Sequence, residues 1–256
     1  MSVLAIAGLL ANQSSVTLLF QPKVGTTYKQ STSISQTGPM GNTSTSMTTT
    51  TKVLGIESGF FKLQSTPSNV KMTGGMGSND QVKKSMEKPS IMLMDKHFKP
   101  KMAANSSVGM QQMMGGMNNM MSGITFPTKP VKIGETWTNT IDMGQMMGAA
   151  AKSQPNAAGL KSTGKMTMTY KLLKIDATKV TIGMTINGTV NMDMGGGKGA
   201  SGGQGMKMSI TMTGGGTSTM ERNTGIPIGS DTKMAMKMGG MGQGMTMNQT
   251  IVTKRI

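Results

Sequence analysis

Between Val180 and Met194 the residue types alternate without a break. The even positions are Val180, Ile182, Met184, Ile186, Gly188, Val190, Met192 and Met194, and the odd ones are Thr181, Gly183, Thr185, Asn187, Thr189, Asn191 and Asp193. Side chains of an extended strand point to opposite faces in turn, so this period of two gives a strand one apolar face and one polar face. The same phase returns at Met166, Met168 and Tyr170, at Met208, Ile210 and Met212, and at Met234, Met236 and Met238. A chain patterned this way pairs several long amphipathic strands and builds their common apolar face largely from thioethers.

Aromatic residues cannot supply that core. The 256 residues include 33 Met but only 5 Phe, 2 Tyr and 1 Trp. Methionine is flexible and polarizable, and suits an adaptable surface better than a rigid interior. Cysteine is absent, which excludes a disulfide framework, a thiolate metal site and a cysteine nucleophile. The net charge of +16 favours polyanionic surroundings such as an anionic envelope surface. The aromatic platforms and basic helix of nucleic-acid binders are missing, so no specific nucleic-acid partner is expected.

The chain reads as two copies of one unit. Lys132-Ile133-Gly134-Glu135-Thr136-Trp137 stands in the second half where Lys23-Val24-Gly25-Thr26-Thr27-Tyr28 stands in the first. Met47 to Ile56 corresponds to Met166 to Ile175, and Met94-Asp95-Lys96-His97 with Pro100 to Met220-Glu221-Arg222-Asn223 with Pro227. Strands are predicted over 16–21, 27–36, 43–54, 60–72 and 90–96 in the first copy. In the second they are predicted over 136–143, 163–175, 179–194, 205–213, 217–222, 232–238 and 245–255. Gly-rich turns between them favour an antiparallel sheet over βαβ units.

Two segments break the pattern. Met110, Met113, Met114, Met117 and Met121 fall at helical spacing on one face, and 144–162, with Met146 and Met147, offers a second short helix. Both are expected to lie on the apolar face of the sheet. At the start, Val3 to Ala11 is a short apolar run of signal-segment length, too short to span a bilayer. The predicted organisation is a leader over 1–11, a first β repeat over 12–107, a Met-rich helical linker over 108–125 and a second β repeat over 126–256.

Catalysis finds little support. The single histidine, His97, has no orienting partner in the sequence and reads as a surface residue; no nucleophile elbow, carboxylate pair or HExxH is present. Gly197 to Gly202 satisfies GxGxxG, but a strand follows it rather than the helix that dinucleotide binding needs. No enzyme and no cofactor are expected. A Met-rich sheet face covered by Met-rich helices would instead make a deformable apolar cleft. Its lining would be Met166, Met168, Met184, Met192, Met208 and Met212, with Met113 and Met117 from the linker, and its guest a lipophilic ligand. The alternative is copper: Met238, Met241, Met245 and Met247 flank a Gly-rich turn, and thioethers select Cu(I) or Ag(I).

The run Phe126-Pro127-x-Lys129-Pro130-Val131-Lys132-Ile133-Gly134-Glu135-Thr136-Trp137 resembles the FP..PVKVGDSW signature of an uncharacterised family of secreted bacterial β-rich proteins. Such proteins look similar in architecture to the lipoprotein-carrier fold of the bacterial envelope, a curved antiparallel sheet with helices across its concave face. The resemblance implies a secreted or periplasmic location and a lipophilic ligand. The expected fold is therefore mainly β: a curved antiparallel sheet or half-barrel from two tandem repeats, with one or two short Met-rich helices on its concave face.

Overall fold

The period-two pattern of 180–194 forms one uninterrupted strand, and its counterparts pair on both sides of it. A computed structural model describes residues 15–39, 41–74, 80–101, 124–144, 160–194, 206–240 and 244–256, with the backbone alone for Gln81, Leu160, Lys161, Met194 and Met206. The predicted leader over 1–11, the methionine run Met110–Met121 and nearly all of 144–162 lie outside these residues.

The strands are β1 (Ser15–Val16), β2 (Thr27–Gly38), β3 (Gly41–Glu57), β4 (Phe60–Thr73), β5 (Ser90–Met94), β6 (Val131–Lys132), β7 (Thr136–Asp142), β8 (Leu160–Ile175), β9 (Lys179–Met194), β10 (Met206–Glu221), β11 (Pro227–Gly239) and β12 (Met245–Arg255). Ten of them form a single antiparallel sheet in the order β5-β4-β3-β2-β12-β11-β10-β9-β8-β7, and β1 pairs with β6 apart from it. Within the large sheet each pair of neighbours is consecutive in the chain except β12 and β2, while β5 and β7 lie at its opposite edges. A short helix, α1 (Asp80–Met86), precedes β5, with Asp80 in its first turn and Lys83 and Lys84 in its last, the signs the helix dipole favours.

The predicted strand over 232–238 begins five residues earlier, at Pro227, and two further differences are larger. The expected break between 213 and 217 is absent, and Gly214, Gly215 and Gly216 run on inside β10, paired with both β9 and β11. These glycines mark close approach rather than a turn. A Cβ on Gly216 would lie 2.0 Å from the Asp231 carbonyl oxygen, and one on Gly214 would lie 2.5 Å from that of Lys233. The expected strand over 16–21 shrinks to Ser15–Val16, after which Phe20 N–H donates to Lys96 O and Gln21 N–H to Thr224 O.

Cross-strand register puts the apolar positions on one face, because residues directly opposite in an antiparallel pair share a side. One row runs Ile141, Met166, Gly188, Met212, Met236, Met247 over six strands. The next parallel row runs Asn139, Met168, Ile186, Gly214, Met234, Gln249, Gln36, Thr43. Met166, Met168, Tyr170 and Leu172 of β8 and most residues of this face in β9 are buried, as are Met212 and Met234. Removing such side chains from water stabilises the fold by about 2 kcal/mol each before entropy is counted. In β2 and β3 the same side carries Gln30, Thr32, Gln36, Thr43 and Thr45 and is only half-buried.

One end of the sheet is closed by two segments that belong to no long strand. Leu18 and Phe20 come from the first, and Ile124, Phe126 and Val131 from the second, all buried. Phe20 meets Phe61 edge-on at 5.3 Å and Phe98 at 4.8 Å, while Phe98 lies 5.7 Å from Phe126. The aromatic residues, scarce in the sequence, are concentrated at this end. Methionines dominate the remainder of the apolar face.

Candidate functional site

The methionine row changes character along its length. Met166 is 1% exposed and Met212 2% exposed, whereas Met236 and Met247 are half-buried. Of the predicted ligand-lining residues, Met166, Met168, Met184, Met192 and Met212 share the inner face and are buried in the core. Met208 is half-buried against them, opposite Met192. Met113 and Met117 lie outside the described residues. The buried members are thus structural in this conformation. The accessible part of the face begins where β11 passes to β12.

There the register assembles a square. Met236 stands opposite Met247, and Met238 opposite Met245. Alternation puts all four side chains on the inner side, and each is half-buried. Three of the predicted soft-metal ligands, Met238, Met245 and Met247, are brought together here, and Met241 lies outside the described residues. Met236, which sequence proximity to the turn did not single out, completes the set through its pairing with Met247. The Gln36 amide from β2 donates to the Met247 sulfur, and the Thr43 hydroxyl donates to the Gln36 carbonyl oxygen at 3.5 Å. A thioether patch thus adjoins an amide and hydroxyl patch on the same side of the sheet.

The other end holds the ionisable and aromatic groups. Trp137 stacks on Tyr170 at 5.6 Å, and its indole N–H donates to Thr125 O at 2.6 Å. Burial pushes the Tyr170 phenol above its ordinary range against the opposing hydrogen bonds to Thr125. Tyr28 is raised in the same way, by burial over the Thr51 hydrogen bond and the Arg255 charge. Arg255 bonds Glu221 at 2.5 Å and reaches Pro227 O at 2.9 Å and Ile226 O at 3.3 Å. Burial alone would raise the Glu221 carboxyl, but the Thr224 hydroxyl and Arg255 outweigh it and hold the carboxyl below the usual range. An open hollow of about 520 Å³ sits beside this pair, bounded also by Lys23, Tyr28 and Lys29. A second, of about 350 Å³, is bounded by residues including Lys233, Met234 and Gln249. Neither is an enclosed apolar chamber.

His97 departs from the expected surface residue. It is half-buried, and its Nδ1 is shielded from water with no hydrogen-bond partner among the described residues. Its backbone is the structural part: its N–H donates to an Asp95 carboxylate oxygen at 2.8 Å, and its carbonyl accepts from Phe126 N–H at 2.7 Å. The Arg255–Glu221 tie had no local signal, because its partners are far apart in the chain. Among the described residues no group of three or more His, Cys, Asp or Glu is placed to hold a metal ion, and no helix is long and apolar enough to cross a membrane. No protein-family model and no curated protein matches the chain.

Proposed function

We propose that the protein is a non-catalytic component of the bacterial envelope, secreted or periplasmic, that binds a lipophilic ligand on the inner side of its sheet. The observation that carries this reading is the single apolar row that leaves the core at Met212 and emerges half-buried at Met236 and Met247. Methionine there offers a surface that reshapes around a flexible chain. Gln36, Thr43 and Thr45 on the adjoining strands supply donors and acceptors for a polar head. The guest is therefore amphipathic, an acyl chain with a hydrogen-bonding end group.

The architecture proposed with it is a half-barrel made of two tandem copies, with the Met-rich segments around Met113 and Met146 covering the inner side. Support for the duplication comes from bonds made twice. Gly25 N–H donates to Val53 O at 2.8 Å and Val53 N–H to Thr26 O at 2.9 Å. At the corresponding positions Gly134 N–H donates to Leu172 O at 2.7 Å and Leu172 N–H to Glu135 O at 3.1 Å.

Native mass spectrometry of gently purified protein tests the ligand directly, and a bound lipid is the expected result. Titration with a dansylated fatty acid then locates it. Met236→Gln with Met247→Gln preserves side-chain length and makes the patch polar, so affinity should fall at least fivefold. Equal affinity in the folded double variant removes the site from this face.

A further inference from the structure

We infer that Met236, Met238, Met245 and Met247 form a site for one soft monovalent cation, Cu(I) or Ag(I). The four belong to one hairpin, in two directly opposed pairs on one face. Opposed residues of an antiparallel pair have Cβ atoms about 4.5–5.5 Å apart, and diagonal ones about 7–8 Å. Two torsions of each unbranched side chain swing its sulfur, and a third turns the methyl aside, so four sulfurs can converge on one point above the hairpin. A flat surface of leucines in the same register would offer no donor.

Accessibility separates this quartet from the core methionines of the sheet. Met166, Met168 and Met212 are sealed in the core, where an ion would lose its water with no route in. The hairpin quartet is half-buried: open enough to admit an ion, apolar enough to exclude competing water from the sulfurs. Met212, directly opposite Met236, extends the thioether lining inward. The Gln36 amide touches the Met247 sulfur, so an entering ion must displace it.

The donor set fixes the class of ion. Thioethers are neutral and soft, favouring Cu(I) and Ag(I) over Zn²⁺, Mg²⁺ or Ca²⁺, which prefer imidazole, carboxylate and carbonyl ligands. The chain's net charge of +16 acts in the same direction, since a singly charged ion meets less repulsion than a doubly charged one. Thioethers also carry no proton to lose, so affinity should be unchanged between pH 6 and 8, unlike a site of histidines.

The test is an anaerobic titration of the full chain with Cu(I), kept reduced by ascorbate, against a chromophoric Cu(I) chelator. One ion per chain bound more tightly than about 1 μM is the expected result, with no comparable uptake of Zn²⁺. Changing all four residues to Leu keeps the face apolar and removes the sulfurs, and should weaken binding at least tenfold. The control M166L/M168L should bind as the parent does. Should the fourfold variant fail to fold, the pair variants M236L/M247L and M238L/M245L replace it, each expected to bind more weakly than the parent. Ag(I) titration of protein labelled at the methionine methyl carbons should shift four resonances together, those missing from the Leu variants. Absence of tight binding in the parent, or undiminished binding in the Leu variants, overturns the assignment. The parent's titrations with Cu(I) and with the dansylated fatty acid are independent, so failure of the cation site and failure of the lipid site give different results.

Discussion

Leu54 and Leu173 are the extra residues of two β-bulges set at the same point of two different hairpins. The β3–β4 register shifts between Val53 and Gly55, and the β8–β9 register shifts between Leu172 and Lys174. Both leucines are exposed, at 38% and 42%, although each follows a fully buried residue, Val53 or Leu172. The bulge lets an apolar pair stand side by side without turning the rest of the strand over. Beyond it, Ile175 still faces Val180.

Deleting Leu173 therefore leaves regular alternation, with Leu172 inward, Lys174 outward and Ile175 inward. Loss of the bulge should lower the melting temperature by only a few degrees, because what disappears is one cross-strand contact, over Gly183, worth about 1 kcal/mol. Deleting Thr169 instead reverses the facing of Met166 and Met168 relative to Tyr170 and should abolish folding. Circular dichroism melts of the two deletions make the comparison, and similar behaviour would contradict this account of the bulge.

Gly216 supplies a second contrast. Its missing Cβ would sit 2.0 Å from the Asp231 carbonyl oxygen, so Gly216→Ala forces backbone apart and should cost about 3 kcal/mol. Gly55 has nothing within 4 Å of the corresponding position, and Gly55→Ala should be neutral or stabilise by about 0.5 kcal/mol. Urea midpoints of the two variants give the difference directly.

The strands and their faces were legible because both follow from a period of two, which needs no knowledge of neighbours. Ten strands form the large sheet, and Met166, Met168, Tyr170 and Leu172 of β8 and Val180, Ile182, Met184, Ile186, Val190 and Met192 of β9 are buried as the alternation requires. Gly214 to Gly216 misled, since glycine marks turns and close approaches alike. The square of methionines was only partly visible: Met238, Met245 and Met247 stood near one turn, but the partnership of Met236 with Met247 depends on hairpin register. The Phe20–Phe98–Phe126 cluster and the return of β12 to β2 left no local trace, because their partners are far apart in the chain.

Stability toward acid should depend on Glu221. Its carboxyl is held below the ordinary glutamate value of 4.5 by Thr224 and Arg255 working against burial. A depressed folded-state value means the stabilisation is present above the unfolded value and is lost as pH falls through the folded one. Glu221→Gln removes that contribution, so the melting temperatures of parent and variant should differ most above the ordinary glutamate value of 4.5 and converge as pH falls through the depressed folded value. A gap that stays constant down to acid pH would mean the ion pair contributes nothing to this dependence.

At the alkaline side the phenols provide the signal. The chain has 2 Tyr, and burial raises both Tyr28 and Tyr170 above the ordinary value of 10.0. A raised folded-state value stabilises the fold below pH 10 and loses that contribution as pH climbs through it. Absorbance at the phenolate band should show less than half ionisation at pH 10 while the protein is folded. Both tyrosines should then titrate together as the fluorescence of Trp137, stacked on Tyr170, reports unfolding. Half-ionisation at pH 10 with unchanged Trp137 emission would place a phenol in water.

The outer face of the sheet carries the remaining expectation. Lys29, Lys165, Lys171, Lys207, Lys233 and Lys237 are exposed there among threonines, serines and asparagines, while Asp193 and Asp231 are acids of the same side. Among the described residues this face has no exposed aromatic platform for stacking on bases and no broad apolar stripe to enter a bilayer, so its attraction is one of charge and hydroxyl groups. Screening acts over about 8 Å at 0.15 M salt, which makes such binding strong at low ionic strength and weak above it. The chain should be retained on heparin in dilute buffer and elute as salt rises. Lys233→Glu with Lys237→Glu should lower the eluting salt concentration without altering the melting temperature, since both side chains are in solvent. Unchanged elution in that variant would show that the lysines of β11 are merely solvated and that retention, if any, arises elsewhere.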